Sequence, residues 1–365
     1  MKQRIIFITI FILITALAAG GYYLYSKKTA KNTESAGEEN KDLESAERMS
    51  NEEFANRIKE KSKEKIEIKR DLLFGGHLNS ASEGNVQLYL KNEVYLDSTL
   101  KMLKVLEEAG VDTIQFYFYP ELWEKPEVQN YYDMVINKIR SDQKYLYLGY
   151  QGGGKDKHIY KSYAEYKETA LKTIEETAGK YKPDYYSVVV EPRTMEKRGH
   201  IEISDTEWLE YTKEAAEAVR KVSPNTKVVA TVTPLELGLM EEFSKMDNID
   251  ILGINPYRET LLVDEVVKKI DELAKVKPIY FPEVWISADY DAKYTPSQES
   301  KFLNFVFDFT MKHDIYAVTP FYSHKFVTAS SKLVDREKAL EKGARTENFY
   351  TYQEFIKSVR KKFPK

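Results

Sequence analysis

Cysteine is absent from the 365-residue chain. Disulfides, a zinc–thiolate centre, a thiol nucleophile and a lipid-modified cysteine anchor are therefore excluded. Histidine is scarce, and the five present show no HExxH or other metal-ligand spacing, so neither metal nor cofactor is expected. No GxSxG elbow occurs, which removes the serine nucleophile that such a turn would expose. The formal net charge is only −3, and nothing in it suggests a nucleic-acid partner. A phosphate-binding loop is missing too. In "GYQGGGKD" (149–156), Gly149, Gly154 and Lys155 fit that pattern, but Asp156 stands where the magnesium-binding hydroxyl belongs. The stretch reads instead as a loop.

Tyrosine, in contrast, is plentiful at 27 residues. The N-terminus carries the clearest local signal. Lys2 and Arg4 precede an apolar run over 5–25, and roughly 20 apolar residues can span a bilayer. Ala16-Leu17-Ala18 resembles a signal-peptidase site, which leaves a cleaved signal peptide as the alternative. Residues 1–25 are expected to form a single-pass membrane anchor. The following stretch, 26–65, is rich in Lys, Glu, Asn and Ser. It cannot bury enough surface to fold alone and reads as a charged linker. Residues 66–365 would then form a domain held outside the cell membrane, or secreted if the leader is cleaved.

Within that domain, short apolar runs alternate with longer helical ones. Strands are expected at 72–76, 113–119, 145–150, 185–190, 227–232, 249–254, 278–281 and 316–320. Helices are expected near 94–109, 126–141, 160–180, 205–222, 234–246, 261–275, 296–313 and 350–362. Ser204 and Glu207 form a capping box. Behind it, Trp208, Tyr211, Ala215, Ala218 and Val222 recur along one helical face, which makes Trp208 a core residue. Gly110 stands where a helix C-terminal glycine belongs. Ser187 to Val190 is a continuous run rather than an alternating one, as suits a parallel strand covered on both faces. Eight strand–helix pairs predict a (β/α)8 TIM barrel, an α/β fold. A doubly wound open sheet is the alternative, but "FGGHLN" after the first strand lacks the GxGxxG turn.

Active sites of such barrels lie at the C-terminal ends of the strands. Standing there are His77 and Asn79, then Tyr119, Glu121 and Trp123, then Tyr150 and Gln151. Glu191 and Arg193 follow the fourth strand, and Thr231 and Thr233 the fifth. Asn255 and Tyr257 follow the sixth, Glu283 and Trp285 the seventh, and Phe321, Tyr322 and His324 the eighth. Two glutamates across one barrel mouth are what glycosidic cleavage needs: one protonates the leaving oxygen, the other attacks the anomeric carbon or activates water. Aromatic rings at the mouth offer flat faces to sugars. His77, Tyr119, Tyr150, Asn255, Tyr257, Trp285 and Tyr322 are the expected substrate-binding residues.

These residues carry a resemblance over about 70–325. "VVVEPRT", "ILGINPY" and "IYFPEVWIS" resemble the strand-4, strand-6 and strand-7 motifs of retaining glycoside hydrolases of the cellulase, mannanase and β-galactanase type. The resemblance implies that Glu191 is the acid/base, Glu283 the nucleophile, and Tyr257 a hydrogen-bond donor to that nucleophile. Val190 replaces the family's asparagine before the acid/base. The family's strand-2 arginine has no match in "TIQFYFYPELW", and Phe321 or Tyr322 stands for a tryptophan after strand 8. The chain thus looks like a divergent member acting on a β-linked polysaccharide. A non-catalytic carbohydrate-binding barrel of the cell envelope is the alternative. Catalysis requires Glu191 to be protonated near neutrality and Glu283 ionised, so burial and the Glu283 charge are expected to raise the Glu191 pKa.

Overall fold

Residues 54, 56–58, 66–78, 94–152, 160–286, 294–330 and 332–365 are described by the structure, a computed structural model. The eight strands are β1 (Leu73–His77), β2 (Thr113–Phe118), β3 (Tyr145–Tyr150), β4 (Tyr185–Val190), β5 (Lys227–Val232), β6 (Ile251–Ile254), β7 (Ile279–Val284) and β8 (Ile315–Pro320). Each pairs in parallel with the next, and β8 returns to β1, closing a barrel. The main helices alternate with them: α1 (Val94–Ala109), α2 (Pro126–Ser141), α3 (Tyr163–Tyr181), α4 (Asp205–Val222), α5 (Leu237–Ser244), α6 (Asp264–Ala274), α7 (Pro296–Lys312) and α8 (Glu347–Lys362). This is the (β/α)8 architecture read from the sequence.

Period-two alternation sorts each strand into an inner and an outer set. On β2, Phe116 and Phe118 turn outward onto Tyr132 of α2, with ring centroids 5.5 and 4.5 Å away. Gln115 and Tyr117 turn inward. The interior is unusually rich in hydroxyls: Tyr280 bonds Thr319 at 2.7 Å, Ser187 bonds Thr231 at 2.9 Å, and the Tyr147 ring meets that of Tyr280 at 5.3 Å. Glycine makes room for them. A Cβ on Gly75 would lie 1.9 Å from the Thr319 hydroxyl, and one on Gly253 would lie 2.3 Å from that of Thr231.

The helix ends follow local chemistry. The Ser204–Glu207 capping box opens α4 as expected, and Thr295 with Gln298 forms a second one on α7. The compact unit runs from Asn51 to Lys365. Residues 54 and 56–58 therefore belong to it, although they fall inside the expected linker: Phe54 and Ile58 are buried, and the Phe54 ring lies 6.2 Å from Phe302 of α7. The expected anchor, 1–25, and the rest of the linker lie outside the described residues. Among the described residues no helix is long and apolar enough to cross a membrane.

Candidate active site

Glu191 follows β4 directly, after a register shift between Ser187 and Val189. Such irregularities re-aim the side chains beyond them. Its backbone is left-handed at φ 51°, an unusual state for a residue with a Cβ. The conformation is held on both sides. The Glu191 N–H donates to the Thr231 carbonyl at 2.9 Å, and the Glu191 carbonyl accepts from Met195 N at 3.0 Å in the short helix Pro192–Gly199. Glu236 secures that helix from below. Its buried carboxylate accepts the Arg193 N–H at 2.7 Å, together with the N–H and hydroxyl of Thr233 at 2.7 and 2.8 Å. Burial raises the Glu236 pKa, and those three donors oppose the rise. The Glu191 side chain is half-buried and accepts a 2.8 Å hydrogen bond from Asn255 Nδ2, just beyond β6.

Glu283 lies within β7, which runs further than its sequence suggests, and is 5% exposed. Tyr257 Oη donates to Glu283 Oε2 at 2.5 Å. A backbone bridge between Tyr257 and Trp285 prolongs the β6–β7 alignment and places that hydroxyl. The Tyr117 phenol, from β2, is a neighbour of Glu283, and its hydroxyl accepts from Gln115 Nε2 at 2.9 Å. Burial, reinforced by the nearby Glu191 charge, pushes the Glu283 pKa up to about 7; the two tyrosines and Arg198 oppose the rise. Desolvation outweighs the neutral tyrosines and a half-buried arginine.

An aromatic wall stands beside the carboxyls. His77 lies 4.6 Å from Phe321 and 5.3 Å from Tyr117 between ring centroids, and burial lowers its pKa to about 3, so the ring is neutral. Phe321 also meets Tyr257 edge-on at 6.2 Å, and Tyr322 meets Trp285 at 6.1 Å. His77, Asn255, Tyr257, Trp285 and Tyr322 thus gather around the glutamates or along their wall. Tyr119 is buried at the end of β2, where it caps the short helix Pro120–Trp123.

Tyr150 does not join them. It occupies the outer face of β3, where its hydroxyl lies 3.2 Å from that of Tyr160 and its ring 6.1 Å from Tyr166. The alternation that brings Tyr147 and Gly149 inward sends Tyr150 outward. Trp123 is likewise packed away, between Phe118 and Tyr181, with its Nε1 bonded to Glu176 at 2.9 Å. Trp208 is a core residue as expected, bonded to Glu196 at 2.7 Å. Arg193 pairs with Glu196 and Asp205 rather than facing the mouth. Asn79, the second half of "GYQGGGKD" (153–156) and the Glu121 side chain lie outside the described residues.

Three residues of the site escaped the sequence reading. Tyr117 was readable, because it lies two positions before Tyr119 and shares its face of β2. Glu236 was readable as the last member of "TPLE", a capping box of T-x-x-E form. Arg198, near the C-terminal end of a short helix, carried no sequence signal.

No protein-family model matches the chain. No curated protein matches its sequence significantly. Solved structures do match its fold. A Glycoside Hydrolase 5 lichenase from Caldicellulosiruptor sp. F32, in complex with cellotetraose, superposes with a TM-score of 0.59 at 13% identity, over 84% of this chain and 96% of the lichenase. An exo-β-1,4-mannosidase from Opitutaceae bacterium strain TAV5 gives 0.59 at 10% identity, over 82% of this chain. The match spans 62% of that mannosidase. A GH113 β-1,4-mannanase gives 0.54 at 12% identity, over 79% of this chain and 98% of the mannanase. At such identities the likeness establishes a shared fold.

Proposed function

We propose that the chain is a retaining glycoside hydrolase acting on a β-linked polysaccharide. The observation that carries this reading is the pair of glutamates at the ends of β4 and β7, each separately anchored: Glu191 by Asn255 and Glu283 by Tyr257. Structural neighbours that act on β-linked glycans support the substrate class. In the reaction, Glu191 passes its proton to the glycosidic oxygen as Glu283 attacks the anomeric carbon and forms a glycosyl ester. Glu191, now a carboxylate, then removes a proton from water. The water oxygen attacks the same carbon and releases Glu283. Asn255 and Tyr257 orient the two carboxyls, while His77, Trp285 and Tyr322, with Phe321, present the wall that a sugar ring meets.

Attack requires ionised Glu283. Since its pKa lies at about 7, turnover should rise with pH through that value. The apolar run at 5–25 supports attachment of the barrel to the outer face of a membrane, or secretion if that run is removed.

The test is hydrolysis of mannans, galactans, glucans and cell-wall glycans by residues 51–365, with Glu191→Gln and Glu283→Gln alongside. Products that disappear in both variants are expected. Binding of a glycan by all three proteins without turnover would favour the non-catalytic carbohydrate-binding barrel, a reading that Val190, in place of an asparagine, also suits.

A further inference from the structure

We propose that Glu236 is a positioning residue for Glu191: it caps the helix that Glu191 begins, and so leaves the Glu191 carboxyl to Asn255 and to the substrate. The proposal deepens the glycosidase reading and rests on it for its catalytic meaning. The capping itself is observable without turnover.

The first backbone N–H groups of a helix have no partner within it, and the N-cap side chain ordinarily accepts one from the second or third residue. Glu191 is the N-cap of the short helix Pro192–Gly199, yet its side chain makes no such bond. Its Oε1 accepts from Asn255 Nδ2 at 2.8 Å instead. Pro192 has no N–H to satisfy. Arg193, the second helical residue, does, and its N–H goes to Glu236 Oε1 at 2.7 Å. The cap is thus supplied from another loop, the turn that follows β5.

Glu236 is itself buried and fixed. Its other oxygen, Oε2, accepts the N–H and hydroxyl of Thr233 at 2.7 and 2.8 Å, which closes its own turn, Pro234–Glu236. One carboxylate therefore joins the ends of β4 and β5. The Arg193 guanidinium takes no part, since it pairs with Glu196 and Asp205. The backbone at Glu191 requires such a joint. A residue before proline prefers extended backbone, and a residue with a Cβ disfavours the left-handed region, so Glu191 at φ 51° goes against both preferences. The Thr231 carbonyl holds its N–H at 2.9 Å, so β5 and its turn grip the segment on both sides of Glu191. Without Glu236, the unpaired Arg193 N–H lies two residues from a carboxylate whose ordinary N-cap role is to accept it. Glu191 would then cap its own helix and leave Asn255.

The experiment uses the full chain with three substitutions. Glu236→Ala removes the cap. Glu236→Asp withdraws the carboxylate from Arg193 by one methylene but keeps it in the Thr233 turn, and it decides the matter should Glu236→Ala fail to fold. Glu236→Gln keeps an oxygen within reach of Arg193. In crystal structures of the first two, the Glu191 carboxyl should lie within about 3.2 Å of Arg193 N and no longer bond Asn255. Kinetics use phenyl and 2,4-dinitrophenyl β-glycosides of the oligosaccharide that the glycan screen releases. The phenyl leaving group needs a proton from Glu191, and the dinitrophenyl group does not. For Glu236→Ala, kcat/KM, which reports formation of the glycosyl ester, should fall about 30-fold with the phenyl glycoside and less than about 3-fold with the dinitrophenyl one. Glu236→Gln should recover part of that loss. Equal losses on the two glycosides would overturn the proposal, because general damage to the fold does not distinguish leaving groups. Glu191 still bonded to Asn255 in every folded variant lacking the Glu236–Arg193 bond would also overturn it. So would failure of both Glu236→Ala and Glu236→Asp to fold, which would make Glu236 a residue of the fold alone. A redirected Glu191 in a chain that turns over no glycan would overturn the glycosidase reading and leave the capping proposal standing.

Discussion

The two ends of the barrel use carboxylates in opposite ways. At the N-terminal end an aspartate precedes every even-numbered strand: Asp112, Asp184, Asp250 and Asp314. The first three cap the neighbouring odd strand. They accept the N–H of Phe74 at 2.9 Å, Leu146 at 2.8 Å and Val228 at 2.8 Å. Each also meets an arginine: Arg360 reaches Asp112 at 2.5 Å, Arg140 reaches Asp184 at 2.8 Å, and Arg220 reaches Asp250 at 2.9 Å. Asp314 pairs with Arg70. At the C-terminal end, Glu283 is buried with the neutral Tyr257 hydroxyl as its donor and an acidic neighbour, and its pKa is forced to about 7. Ion-paired carboxylates secure strands. A carboxylate left without a bound cation is costly to fold and stays responsive to protons, which is the property that acid–base chemistry uses.

The largest test of that contrast is Glu283→Gln. Turnover should fall by on the order of 10³-fold or more, measured on whichever glycan the screen identifies. The same substitution should stabilise the fold at pH 8. The sign follows from linkage. The folded pKa lies near 7 against 4.5 for an unperturbed glutamate, so the native state binds the proton more tightly. That contribution is fully present below about pH 4.5 and is lost as pH rises through about 7, a change of up to about 3 kcal/mol. Denaturant midpoints measured across this range should show the loss in the parent and not in Glu283→Gln.

Asp250→Ala probes the opposite end. It leaves the Val228 N–H and Arg220 without their partner and should cost about 2–3 kcal/mol in denaturant unfolding, with kcat within about 2-fold of the parent. Asn255→Ala frees the Glu191 carboxylate and should lower kcat by about 10-fold with little loss of stability. The smallest effect is expected from Tyr185→Phe near the N-terminal end. It removes a 3.0 Å hydroxyl contact with half-exposed Tyr316 and should cost less than about 1 kcal/mol. A large activity loss in Asp250→Ala, or a large stability loss in Glu283→Gln at pH 8, would break the division between the ends.

Much of this was legible one residue at a time. Continuous apolar strands, Gly110 and the Ser204 capping box are local signals, and the elements they mark fall within a few residues of their expected bounds. Tyr150 shows the limit. It ends a strand, as Glu191 does, yet points to the outer layer, because strand phase relative to the barrel axis is not written in a strand's last residue. Glu283 shows a second limit. Its hydrogen-bonding partner Tyr257 was readable from "ILGINPY", but the degree of burial that dominates its pKa was not. The aspartates before the even strands also went unread, since a single Asp beside a strand is an ordinary turn residue until the neighbouring N–H is seen to point at it.

The sequence by itself determined the alternation of elements, the eightfold count and the two glutamates that end the fourth and seventh strands, because propensity, capping and hydrophobic period are properties of neighbouring residues. The tertiary structure decided that Tyr117 faces Glu283 while Tyr150 does not, that Asn255 holds Glu191, and that Glu283 rather than an exposed carboxyl feels the full cost of losing water. Those outcomes depend on barrel closure, which brings β2, β4, β6 and β7 to one mouth and removes solvent from between them.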